Sequence, residues 1–282
     1  SFFDCRITRV TIPEGVTRIG AWAFKDCEEL INVTVPNSVK SIEDHTFRGC
    51  SSLTDITIGE GVTSIGAWAF KDCSSLTNVT LPENVTNIGD YAFYECSNLT
   101  SVTLPENVTS IGEYAFYRCS LRSIEIPEGI TSISAGAFHS CGLGEGITIP
   151  ASVTSIGEYA FYRCDLGGSI TIPDSVKSIR AFAFHSGGLR SITIGNGIIS
   201  IMDGAFRNCT YLTAIRFLGD APSFLGSHVF AEAGAHAAIF YLSGATGFSD
   251  PFSGLRAYQI GPGVDLAEVV LPNVDLSSAD LR

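Results

Sequence analysis

Three things are scarce or missing in this chain: catalytic signatures, basic charge and long apolar runs. No stretch approaches the roughly 18 consecutive apolar residues of a membrane-spanning helix, so membrane insertion is not expected. Lys and Arg number 17 against 29 Asp and Glu, for a net charge of −12. That balance disfavours nucleic acid and anionic lipid, which are both drawn to basic faces. Charged residues are only 16% of the chain and apolar residues 45%, which leaves no case for disorder. There is no G-x-S-x-G, no P-loop and no H-E-x-x-H. Gly142, Gly144 and Gly146 form a Gly-rich loop rather than a dinucleotide fingerprint. No C-x-x-C pair, Cys/His zinc spacing or EF-hand loop occurs. The sequence therefore names no catalytic residue, no cofactor and no metal site, and a non-enzymatic role is expected.

What is present is repetition. A marker phenylalanine falls at Phe24, Phe47, Phe70, Phe93, Phe116, Phe138, Phe161, Phe184 and Phe206, in steps of 23 or 22 residues. A period of this size signals a solenoid, in which each unit buries its apolar face against its neighbours. The start falls inside a unit, since Phe2 and Cys5 keep the offset of Phe24 and Cys27. The chain thus reads as a piece of something longer, in which missing targeting signals are uninformative.

The nine cysteines look like a disulfide set until their phase is read. All stand three residues after a marker Phe or, for Cys5, after Phe2, and Gly187 fills the place in the one unit without Cys. Such a column stacks at about 5 Å if neighbouring coils pair as strands. That spacing does not forbid bridges. A buried, reduced ladder nevertheless explains a single in-phase column without any.

Each unit carries two apolar punctuations. The first is Leu-x-x-Val/Ile-x-Leu/Ile, as in Leu76, Val79 and Leu81. Its final residues alternate in strand period and end at Pro or Gly, as at Pro82 and Pro105. The second is Val-x-x-Ile-Gly-x-x-Ala-Phe, as in Val85, Ile88, Ala92 and Phe93. Val-x-x-Ile predicts a second short strand, and the run into Phe-x-x-Cys predicts a single 3₁₀ or α turn with Phe and Cys facing inward. Three units slip in phase: Cys119–Leu121, Cys141–Leu143 and Cys164–Leu166 are each one residue shorter than Cys96–Leu99. Surface loops are expected to absorb such slips while core positions hold.

The unit Ile-Pro-Glu-Gly-Val-Thr-Ser-Ile-Gly-x-x-Ala-Phe-x-x-Cys-x-x-Leu resembles the BspA-type (Treponema-type) leucine-rich repeat, from about Phe2 to Phe230. The resemblance implies a mainly β, curved solenoid of about ten coils with short parallel strands on its concave side. It also implies kinship with surface proteins that adhere to host proteins or other cells. It carries no catalytic residues over. Three regions follow: a solenoid over 1–217, a degenerate last repeat with a C-terminal cap over 218–262, and a tail over 263–282. In the tail, Val264, Val269, Val274 and Ala279 recur every five residues, with Leu266, Leu271, Leu276 and Leu281 two later. That pattern resembles the pentapeptide repeat.

Two surfaces are candidates for partner binding. The outward residues of the first strand are Thr57, Thr80, Thr103, Glu125, Thr148, Thr171, Thr193 and Arg216. Thr is simply a good exposed strand residue. The column could also present hydroxyls to a glycan or protein, or order ice or mineral, although Glu125 and Arg216 interrupt it. The second surface lies two before and one after the marker Phe, at Trp68, Tyr91, Tyr94, Tyr114, Tyr117, Tyr159 and Tyr162. Local packing within one turn accounts for it, including cation–π contact in pairs such as Trp22/Lys25 and Trp68/Lys71. An aromatic stripe is equally a common docking surface. His139 and His185 share the offset of Lys71 and read as surface drift.

Glu14, Glu60, Glu83, Glu106, Glu128 and Asp174 form an acidic row in turns, where solvent screens repulsion. N-x-[S/T] triplets at Asn32, Asn78, Asn84, Asn98, Asn107 and Asn208 follow from the repeat and say little about glycosylation. The expected role is a secreted or cell-surface adhesion module for an extracellular protein or glycan, docking chiefly on the concave array. A passive spacer within a larger surface protein is the alternative, and ice or mineral binding is a second.

Overall fold

Register, more than any single contact, defines this molecule. In a computed structural model that describes residues 2–144 and 147–261, each coil lies directly on the one before it, shifted by one repeat. The segment Leu-x-x-Val-x-Leu forms the first parallel ladder. Asn32–Val35 pairs with Asp55–Ile58, Asn78–Thr80 with Ser101–Thr103, and Ser169–Ile172 with Ser191–Ile194. The ladder continues through Ala214–Phe217, Ala238–Leu242 and Arg256–Ile260. Alternation buries Val33 and Val35, or Ile170 and Ile172, and turns the residues between them outward. The segment Val-x-x-Ile forms a second parallel ladder of two-residue strands, from Ser41–Ile42 to Phe224–Leu225.

The marker turn corrects the sequence reading, because it is not helical. Among the described residues there is no helix of any kind. The reason lies in where the amides point. The N–H groups of Ala92, Tyr94 and Cys96 close tight turns onto the carbonyls of Gly89, Tyr91 and Phe93. The N–H groups of Tyr91, Phe93 and Glu95, which alternate with these, donate instead to Glu113, Ala115 and Tyr117 in the next coil, each at 2.8 Å. A helix would spend every amide within the turn. Here half of them make a third ladder between coils. Two left-handed residues per coil, such as Tyr91 at φ 57° and Glu95 at φ 58°, make this alternation possible and stop helical winding.

That third ladder is the most continuous of the three. The first is interrupted after Ile58 and again between Thr103 and Ser169, and the second between Ile111 and Ser132. The longer interruption coincides with the phase slips after Cys119 and Cys141. The shorter lead does not by itself abolish pairing, since Cys164–Leu166 is equally short and Ser169–Ile172 still pairs with Ser191–Ile194. The core does not follow: Leu121, Ile124, Ile126, Leu143 and Ile149 all stay buried. Across the same coils the marker turns still pair, through Tyr114 to Ala135, Phe116 to Ala137 and Arg118 to His139, each at 2.9 Å.

Inside this ladder runs a stack of phenylalanines. Phe2, Phe24, Phe47, Phe70 and Phe93 lie face to face at centroid separations of 5.1–5.4 Å. The stack goes on through Phe116, Phe138, Phe161, Phe184, Phe206 and Phe230 at 5.1–5.7 Å. Offset stacking adds about 0.5–1.5 kcal/mol per pair beyond burial. Beside it runs the cysteine column, in which every thiol is free. The Cys96 thiol donates to the Phe70 carbonyl and Cys119 to Phe93, each at 3.1 Å. The Phe70 carbonyl also accepts the Cys73 amide at 3.1 Å, so both its lone pairs are used. Cysteine here is a small apolar residue with one well-aimed donor. Burial raises the thiol pKa from Cys27 onward, to about 12 at Cys164 and Cys209.

Beyond Phe230 the chain closes the stack with aromatics: Tyr241 stacks on Phe248 at 4.4 Å, and Phe248 meets Phe217 edge-on at 5.2 Å. The pentapeptide-like tail lies outside the described residues.

Two outcomes are expected. Thiol titration of the native protein should find about one reactive group, Cys5, which is half-buried in the first coil. All nine should react after denaturation, and recovery of fewer under non-reducing conditions would reveal disulfides. Phe93→Ala should lose about 3–5 kcal/mol in chemical denaturation, with hydrogen exchange rising first in the coils of Phe70 and Phe116.

Candidate partner-binding surface

The outward strand face is built as alternation requires. Thr34 lies beside Thr57, Thr80 beside Thr103, and Thr171 beside Thr193. Thr57, Thr80, Thr103, Glu125, Thr148 and Thr171 are exposed, and Thr193 and Arg216 half-buried. Glu125 and Thr148 do not sit on strands, because they fall where the ladder is interrupted. Beyond Thr193 the column passes to Arg216 and then to Phe240. The face is therefore two patches of Thr rather than one array.

The aromatic face is built differently. Residues two before the marker Phe form a column on the outside of the turn ladder. His45 stacks on Trp68 at 4.9 Å, Trp68 on Tyr91 at 5.3 Å, and Tyr91 on Tyr114 at 5.4 Å. Tyr159 stacks on Phe182 at 5.3 Å further along. Residues one after the marker form a second column, with Tyr94 on Tyr117 at 4.4 Å, Tyr117 on His139 at 4.6 Å, and His139 on Tyr162 at 4.7 Å. Within a turn the columns touch at angles, as Tyr91 with Tyr94 and Tyr159 with Tyr162. The cations reach across coils: the Lys71 ammonium lies over Tyr94 at 4.5 Å, and that of Lys25 over Phe3 at 5.2 Å. The expected partners were the rings of their own turns, but a ring stacked on the next coil leaves its neighbour's face free for the ammonium.

Every aromatic of the first column is left-handed, from Trp22 at φ 59° through Tyr114 at 53° to Phe182 at 56°. A bulky side chain in that region costs about 1 kcal/mol. Gly136 and Gly204, both at φ 59°, hold the same place without a ring. Tyr91, Tyr94, Tyr114, Tyr117, His139 and Tyr159 line an open cleft of about 430 Å³. His139 belongs to this surface and was missed as such in the sequence, whereas Gly136 lies buried beneath the Tyr114 ring. The offset of His139 from Phe138 matches that of Tyr117 from Phe116, which was the available signal. Among the described residues no group of three or more His, Cys, Asp or Glu could hold a metal ion, and no helix is long and apolar enough to cross a membrane.

Comparison with known proteins places this geometry. The profile of the BspA type leucine rich repeat region matches over residues 1–96, 28–144, 86–213 and 131–246. A leucine-rich repeat protein from Bacteroides ovatus is similar in structure, with a TM-score of 0.69 and 28% identity over 92% of this chain and 76% of its own. A leucine rich cell surface protein from Faecalibacterium prausnitzii is similar at a TM-score of 0.58 and 27% identity, over 92% and 88% of the two chains. The pneumococcal vaccine antigen PcpA shares the fold at a TM-score of 0.54 and 19% identity, over 94% and 82%. No curated protein matches this sequence.

The imidazoles in the columns are held neutral. Burial is the main cause at His139, whose pKa falls from 6.5 to about 4, and the charges of Arg118 and Arg163 add to it. Burial lowers His45 and His185 as well. A histidine whose folded pKa is depressed contributes stability above its unfolded pKa, and that stability is lost as pH falls toward the folded value. The melting temperature should therefore drop between pH 6.5 and about 4. His139→Gln should flatten part of that slope, and an unchanged slope would show that carboxylates alone govern it.

Proposed function

We propose, since the chain belongs to the BspA-type leucine-rich repeat family, that it is a non-enzymatic binding module of a cell-surface or secreted protein and docks an extracellular partner on its aromatic face. The single observation that carries this reading is the pair of half-buried aromatic columns on the outside of the solenoid, the first of them held in strained backbone. A purely structural turn could use Asn or Gly there at lower cost. The similarity to a cell surface protein from Faecalibacterium prausnitzii supports the location.

The choice of face moves away from the strand array expected of a solenoid. Binding energy concentrates in Tyr and Trp and is poor in Thr. The strand face offers two separated Thr patches, whereas the aromatic face offers Trp68, Tyr91, Tyr94, Tyr114 and Tyr117 in unbroken contact. With a net charge of −12, a strongly acidic partner is disfavoured.

The test is a binding screen against immobilised extracellular-matrix proteins and a glycan array, with two triple variants checked for unchanged folding. Replacing Tyr91, Tyr114 and Tyr159 by Ala should weaken the partner found by about tenfold or more. Replacing Thr80, Thr103 and Thr148 by Lys should leave it nearly unchanged. The reverse pattern would place docking on the strand face, and no partner at all would favour a passive spacer.

A further inference from the structure

The three ladders do not end together. The first runs on through Ala238–Leu242 and Arg256–Ile260. Among the described residues the second and third stop short of these strands, at Phe224–Leu225 and at the turn of Phe230. Their last coil therefore has a bare edge, and the pattern it offers can be read from the coil before. There the carbonyls of Ile199 and Ile201 accept the amides of Phe224 and Gly226, at 3.1 and 2.8 Å. The amides of Gly204, Phe206 and Asn208 then donate to Ser227, Val229 and Ala231, at 2.9, 2.9 and 2.8 Å. One coil on, the equivalent groups are the carbonyls of Ser223 and Leu225 and the amides of His228, Phe230 and Glu232. Among the described residues none of these five has a hydrogen-bond partner. That is unusual for Phe230, which is 1% exposed, because buried amides are nearly always paired. An open cleft of about 540 Å³ is lined by this edge and, opposite it, by the cap turn at Ser253, Gly254 and Leu255. Ile199 and Phe224, exposed at 54% and 52%, lie beside the start of the edge.

We infer that this edge is a docking site for one segment of a partner polypeptide, held through its main chain as a further coil would be. It is a second site, independent of the aromatic face. The hydrogen-bonding pattern selects the occupant. In the coil before, each of the three amides has its own carbonyl, on alternate residues, so a small anion would not satisfy all three. The carbonyls of Ser223 and Leu225 would also repel it. A second copy cannot stack a whole coil here, because the two extra strands of the first ladder stand beyond the edge. A single segment running parallel to residues 223–233 supplies what is missing: two amides followed by three carbonyls, each set on alternate residues. Unpaired edges of sheets take up added strands by the same logic. Ile199 and Phe224 offer apolar ground for a side chain of the guest. Glu232 is ion-paired with Arg207 at 2.7 Å, which tempers the negative charge at the far end.

The probe is a peptide with the sequence of residues 223–233, which makes this pairing on the coil before and contains no cysteine. It would be titrated into the full chain and followed by NMR and amide hydrogen exchange. It should bind with a Kd of about 1 mM or tighter and slow exchange at His228, Phe230 and Glu232. A scrambled peptide of the same composition should do neither. N-methylation of the peptide at the positions of Phe224 and Gly226 removes the two donors and should weaken binding about tenfold or more. N-methylation at the position of Leu225, whose amide alternation turns away from the edge, should be tolerated. Ala231→Arg places a long side chain in the cleft and should weaken the peptide to a similar degree. The triple Ala variant of Tyr91, Tyr114 and Tyr159 should bind it as the wild type does. If Ala231→Arg fails to fold, the N-methylated peptides decide on the wild-type chain.

The proposal is overturned if the peptide does not bind, if removing its two donors changes nothing, or if protection falls on other amides. Loss of the peptide in the triple Tyr variant would move it to the aromatic face and overturn the proposal as well. So would concentration-dependent self-association of the protein alone with these three amides protected, which would give the edge to a second copy.

Discussion

The amide ladder of the marker turn is the constraint on which the rest of this solenoid depends. Every second N–H between Tyr91 and Cys96 leaves its own coil and joins the next. This fixes the rise between coils at strand spacing and sets the phenylalanines at stacking distance. It also brings each thiol under the carbonyl of the preceding Phe. The two strand ladders depend on this register more than they create it. Both are interrupted around the coils of Phe116 and Phe138, yet the stacking there, at 5.7 Å, is only slightly wider than elsewhere. The interruption stops short of the core, where Leu121, Ile124 and Ile126 stay buried.

The same ladder explains why function and strain meet on one face. To send alternate amides outward, the turn needs left-handed residues at two places. Asn, Asp and Gly suit such places best. Asp26, Asp72 and Asn208 hold the second of them in their coils. At the first, the chain uses Trp, Tyr, His and Phe in most coils. Stacking between coils offsets part of the backbone cost, but only where rings are adjacent. Once begun, a column is favoured to continue, and a glycine in it relieves strain and is covered by the ring before it, as Gly136 is by Tyr114 and Gly204 by Phe182.

Much of this was legible in the sequence, for a physical reason. A solenoid position recurs, so the offset of Phe, Cys and Leu from the marker reports burial many times over. The parallel strands, the inward Phe and Cys and the reduced thiols all follow from phase. The turn was misread because Phe-x-x-Cys puts two residues on one side of a helical turn and of a pair of tight turns alike. Spacing does not record the sign of φ. Trp22 and Tyr114 carry no outward mark of a left-handed backbone, and only Gly136 and Gly204 at the same offset hinted at one. The direction of Lys71 was equally hidden, since sequence neighbours in one turn compete with the ring one coil away. His139 read as drift because its value lies in two ring partners, Tyr117 and Tyr162, 22 and 23 residues distant.

Quasi-one-dimensional folds let an outer face change by subtraction. In a globular core, removing a ring leaves a cavity whose cost spreads through many contacts. In this chain the outer column is separate from the phenylalanine stack, and each coil touches only its neighbours. Replacing one ring by Gly136 costs two stacking contacts and relieves one strained residue, which leaves the fold nearly indifferent. The Tyr114 ring lies over that glycine and keeps it buried. The outer face of such a fold can therefore change one residue at a time without touching the ladder beneath.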